Sequence, residues 1–246
     1  MTTPWRVSSW ATAAAGLVIA SLLSAPVAVH ADVVATPPGQ VSTVTASIAM
    51  DNDWQFVDAE CLFIPVLATF GRADNTSVLG ETTVTKPGSD ATSNEGTFLV
   101  LPGDPVAGEL LDEIFVCPAD GTGEYRLDTT IRAINPDSEE SFALAPLTFW
   151  VRPATTTIED FTARVTKGGV RVSGDTRAGD GVATGIVDIR YRLPGTSRWQ
   201  PATSVPLQEG SFSALIEADL PPRTRYRATV TECSWCSRAS ARITAS

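Results

Sequence analysis

Histidine is almost missing. The 246-residue chain has one, His30, and it lies in an N-terminal segment that reads as removable. Without imidazole, the protein lacks the side chain most used for acid–base work near neutral pH. That excludes Ser-His-Asp and Cys-His nucleophiles and zinc sites with imidazole ligands, and the expectation is a protein that is not an enzyme. Lysine is scarce too, with only Lys86 and Lys167, and the formal net charge is −10. A balance this acidic argues against nucleic-acid binding. Helical periodicity is nearly absent.

Arg6 supplies a positive start, residues 11–29 are almost uniformly small and apolar, and Val29-His30-Ala31 places small residues before Asp32. This pattern predicts a signal peptide over 1–31. The run is also long enough for a membrane anchor, but Pro26 and the exit into Asp32 favour cleavage, leaving no stable anchor. No cysteine precedes Cys61, so a lipid-modified N-terminal cysteine is excluded. A secreted, extracellular or cell-envelope protein is expected.

The remaining residues divide by charge. From 32 to 153 there are 19 acids and 5 bases; from 154 to 246 there are 9 acids and 12 bases. Arg152-Pro153-Ala154-Thr155-Thr156-Thr157 reads as a short extended connector. Two domains are therefore expected, 32–153 and 154–246, each near the 100 residues of a β-sandwich. In the first, β-rich runs at 41–50, 60–70, 78–86, 96–102, 110–117, 124–134 and 141–151 predict seven strands. This count suits an immunoglobulin-like sandwich. Residues 110–115 read alternatively as a helical turn. Between 125 and 133, apolar or small residues alternate with Arg126, Asp128, Thr130 and Arg132, which predicts one buried and one wet face.

In the second half, Val170-Arg171-Val172-Ser173-Gly174-Asp175, then Val187-Asp188-Ile189-Arg190-Tyr191-Arg192 with Gly195 and Trp199, then Gly210-Ser211-Phe212-Ser213, then Leu220-Pro221-Pro222-Arg223-Thr224-Arg225-Tyr226 resemble fibronectin type III domains and related bacterial immunoglobulin-like modules. The resemblance covers about residues 155–246. It implies a sandwich in which the Tyr226 hydroxyl bonds back to nearby backbone. It also implies adhesion, spacing or ligand display outside the cell, with no catalytic residues to carry over. Gly174 stands where those families usually have Trp, and Trp199 is expected to fill the volume.

Cys233-Ser234-Trp235-Cys236 reads as a local disulfide, a redox dithiol or half of a zinc site. An oxidising compartment favours the disulfide, with Cys61 and Cys117 pairing in the first domain. Trp235, held by that turn, is a candidate exposed binding residue at the domain tip.

Carboxylates are the remaining polar clusters: Asp51, Asp53, Asp58 and Glu60, then Asp112, Glu113, Asp120 and Glu124. They read as solvated turns, with a weak Ca²⁺ site as the alternative and no other metal or cofactor expected. Alternation places Arg190 and Arg192 on one side of their strand, and Arg225 and Arg227 on one side of theirs. With fibronectin-like topology these strands are neighbours, and the four arginines share a face suited to an extracellular polymer or protein partner. The function expected is a non-catalytic binding or adhesion module. The alternatives are a structural spacer in a larger envelope assembly and a carboxylate-based glycoside hydrolase.

Overall fold

The computed structural model describes residues 28–31, 44–88, 92–231 and 233–245, and every regular element in them is a β-strand. Most of the expected signal peptide lies outside the described residues. Its last four, Ala28–Ala31, form β1, which pairs antiparallel with residues 48–51.

The first half continues with β2 (Val44–Asp51), β3 (Asp53–Gln55), β4 (Leu62–Arg72), β5 (Ser77–Thr85), β6 (Thr92–Val100), β7 (Ala107–Val116), β8 (Gly123–Ile134), β9 (Glu139–Ala143) and β10 (Leu147–Arg152). One sheet has the order β1-β2-β4-β7, the other β3-β10-β8-β5-β6 with β9 also on β8. Residues 110–115 belong to β7, with Ile114 and Val116 buried, and form no helical turn. The run 141–151 is not one strand but two, β9 and β10, both paired with β8. Between them Leu144 turns into the core and Pro146, which has no N–H to donate, ends the ladder.

The second half comprises β11 (Thr156–Thr166), β12 (Gly169–Ala178), β13 (Ile186–Arg192), β14 (Gln200–Pro206), β15 (Ser211–Ile216), β16 (Arg225–Val230) and β17 (Ala239–Thr244). Its sheets are β11-β12-β15 and β14-β13-β16-β17. Leaving aside β1, β3 and β9, the first half has the same plan. In each, the first, second and fifth strands form one sheet, and the fourth, third, sixth and seventh form the other. Two successive immunoglobulin-like, fibronectin type III-like sandwiches follow from that order.

Each sandwich solves one packing problem in the same way. Gly174 on β12 lies opposite Phe212 on β15, and Gly80 on β5 opposite Phe98 on β6. A Cβ on Gly174 would stand 2.9 Å from Phe212 Cζ, and one on Gly80 would collide with the Phe98 ring. The phenylalanine therefore occupies the space that the glycine leaves. Phe212, not Trp199, fills the volume at Gly174, because Trp199 precedes β14 and lies over the outer face of its sheet.

Tyrosine use also differs from expectation. The Tyr226 hydroxyl is buried without a hydrogen-bond partner among the described residues. The bond back to upstream backbone is made in the first domain, where the Tyr125 hydroxyl donates to Gly121 O at 2.6 Å. Burial, reinforced by Asp120, pushes the Tyr125 phenol well above its ordinary range.

Both cysteine pairs are bonded. Cys61–Cys117 extends the β4–β7 ladder by one step beyond Leu62 and Val116. Cys233–Cys236 closes a turn that packs on the connector: Ala154 N donates to Trp235 O at 2.8 Å and Ser237 N donates to Ala154 O at 2.9 Å. Trp235 is only 3% exposed. It is a packing residue, and the expectation of an exposed ring at the domain tip is corrected.

Candidate binding face

Across β13 and β16, Arg190 lies opposite Arg227 and Arg192 opposite Arg225. On the far side of β16, Arg242 of β17 lies opposite Arg227. Strand alternation sends all five away from the core that Ile189, Tyr226 and Ala228 enter. One row across the sheet thus reads Arg190-Arg227-Arg242, and the next reads Arg192-Arg225-Thr244.

The segment before β14 brings Trp199 over these rows. Its ring centroid lies 4.8 Å from the Arg227 guanidinium, 5.1 Å from that of Arg192 and 5.9 Å from that of Arg242. Such contacts attract through the ring quadrupole. They gather three guanidinium groups around one indole. Arg227 is the most confined of the group. Burial, followed by the charges of Arg190, Arg242 and Arg238, pushes its pKa down, and its Nε has no partner among the described residues.

Like charges directly opposite one another destabilise a sheet, and acids do not offset them here. In the first domain, Arg126, Arg132 and Arg152 are ion-paired with Asp128, Glu139 and Asp53. Arg72 is spent on five backbone carbonyls, and Lys86 donates to Asp120 O. In the second domain the only ion pair among the described residues is Arg177–Glu159, in the opposite sheet. Asp188, one row from Arg190 on β13, accepts from the Ser204 hydroxyl instead.

The structure therefore brings together the four arginines expected from sequence and adds Arg242 and Trp199. Arg242 was readable in principle, since it alternates outward on the strand that neighbours β16. Trp199 was not, because no strand pattern positions a loop residue.

The acids do not form a comparable constellation. Among the described residues no group of three or more His, Cys, Asp or Glu is placed to hold a metal ion. Asp58 accepts from the Glu60 N–H and Asp120 from the Cys117 N–H, so both shape turns.

No protein-family model matches the sequence, and no curated protein matches it. Among solved structures it is similar to the chicken CNTN1 FN1-FN3 domains, at 13% identity over 80% of this chain with a TM-score of 0.26. The chain spans 65% of the length of that structure. It is also similar to the two tandem V-type regions of VCBP3, a v-region-containing chitin binding protein. The identity is 9% over 83% of this chain and 99% of that one, with a TM-score of 0.28.

Proposed function

We propose that the protein is a secreted or cell-envelope, non-catalytic binding module that engages acidic partners through the Arg190–Arg192–Arg225–Arg227–Arg242 face around Trp199. The observation that supports this most directly is the unneutralised arginine rows: a like-charged surface costs stability unless something else offsets it. A guanidinium presents a planar fork of donors matched to carboxylate, sulfate or phosphate. Two disulfides suit an oxidising compartment outside the cytosol.

Heparin is a convenient polyanionic probe. The full chain is expected to bind heparin at low salt and to release it steeply as salt rises, because exposed charges are screened beyond about 8 Å at physiological ionic strength. Replacing Arg190, Arg192, Arg225 and Arg227 with Ser should abolish retention while the thermal midpoint moves little. Retention that survives the fourfold replacement would place binding elsewhere. No retention of the unaltered chain at low salt would leave only a wet sheet face.

A further inference from the structure

Among the described residues, nothing partners a sheet face of the opposite character on the first domain. On β4 and β7 the outward positions pair as Phe63 with Phe115, Pro65 with Glu113, Leu67 with Leu111 and Thr69 with Glu109. Phe63 is 60% exposed and Leu111 70%, and the rings of Phe63 and Phe115 lie 6.3 Å apart. Outward aromatic and leucine side chains on a strand pair are costly in water unless something covers them. Glu109 and Glu113 flank Leu111 on the same strand and have no ion-pair partner among the described residues. All five bases of that domain are already engaged with its own groups.

We infer that this Phe63–Leu111–Phe115 face docks the arginine–Trp199 face of a second copy of the same chain. The inference rests on the binding reading above and names the partner. Charge complementarity selects the occupant. One face offers guanidinium groups around an indole, the other carboxylates around phenyl rings, and among the described residues neither set of charges is neutralised by an ion pair within its own domain. Arginine also stacks on aromatic faces as it forks to carboxylates, so both components of the acidic face find a match. Because the two faces differ and sit on different domains, the contact is heterologous, and successive copies join head to tail. The face spans four alternate positions, about 20 Å along the strands, which is small for a stable dimer and fits weak, reversible association.

Sedimentation equilibrium of the full chain in 0.15 M salt tests this. Concentration-dependent association is expected on the order of 10–100 μM, the range of small interfaces, weakened at least tenfold in 0.5 M salt. Phe63→Ser/Leu111→Ser should abolish it, and so should Arg190→Ser/Arg225→Ser/Arg242→Ser. These side chains are exposed, and circular dichroism should show both variants folded. Glu109→Lys/Glu113→Lys is a second route to the same loss should the serine variants misfold. The decisive arm mixes the two serine variants. Each is monomeric alone, but together they retain one intact face each and should form a 1:1 heterodimer. A wild-type chain that stays monomeric to millimolar concentration, or a mixture that gives no heterodimer, overturns the inference. Heparin binding that persists in that case leaves the binding reading standing with a different acidic partner. Loss of both means that the arginine face does not bind at all.

Discussion

Removing the Trp235 indole would empty a volume that its surroundings cannot close. The turn that carries it is closed by the Cys233–Cys236 disulfide, and the Trp235 carbonyl accepts from Ala154 N, so the turn has little freedom to collapse inward. Aromatic-to-alanine changes in such places cost about 3–5 kcal/mol. Trp235→Ala is expected to lower the urea midpoint accordingly, and Trp235→Phe to lower it by less. A change within experimental error for Trp235→Ala would mean that the ring is exposed after all. The residue read from sequence as a ligand-facing tip is thus a stability residue. The error has a physical source, since C-x-x-C fixes the shape of a turn but does not report what the turn packs against.

At the scale of elements, the glycine–phenylalanine pairs act as units. Gly174→Val would force the Phe212 ring out of its place, and overpacking of this kind costs about 1–3 kcal/mol. Phe212→Ala instead leaves a void, at about 3–5 kcal/mol. Because valine would occupy part of that void, the double variant should be more stable than the sum of the single losses implies. Residues in contact commonly show such non-additivity. Additive losses in chemical denaturation would show that the two positions do not share space. Strand alternation was legible in the sequence because one buried face imposes a period of two, as on β8, where Tyr125, Leu127 and Ile131 are all buried. The Phe212–Gly174 pairing was not, because it depends on which strands become neighbours. The arginine rows lay between these cases. Alternation gave the side of each strand, and only the β13–β16 register brought Arg190 against Arg227.

At the scale of the whole molecule, the connector is tied to both sandwiches, and from Ala154 onward chiefly to the second. Ala154 is fully buried, forms a parallel bridge with Cys236, and exchanges backbone hydrogen bonds with Trp235 and Ser237. Thr156 N donates to the Ser237 hydroxyl at 3.0 Å. Toward the first sandwich, Phe56 N donates to Arg152 O at 3.1 Å, Gln55 Nε2 donates to Pro153 O at 3.0 Å and to Thr155 Oγ1 at 3.4 Å, and, outside the connector, Asp180 N donates to Val57 O at 2.7 Å. Gly179, at φ 55°, passes so close to Val57 that a side chain there would collide with its carbonyl. A fragment spanning 154–246 keeps the bonds between Ala154, Thr156 and the C-x-x-C turn and is expected to unfold in one cooperative transition. A fragment spanning 158–246 loses four hydrogen bonds donated by Ala154 N, Thr156 N, Gly179 N and Ser237 N, and the first two β11–β12 pairs. Each such bond contributes on the order of 1 kcal/mol. The shorter fragment should therefore unfold at a clearly lower urea concentration. Equal midpoints would show that Ala154 is only a tether, and a non-cooperative 154–246 fragment would show that the second sandwich needs the first.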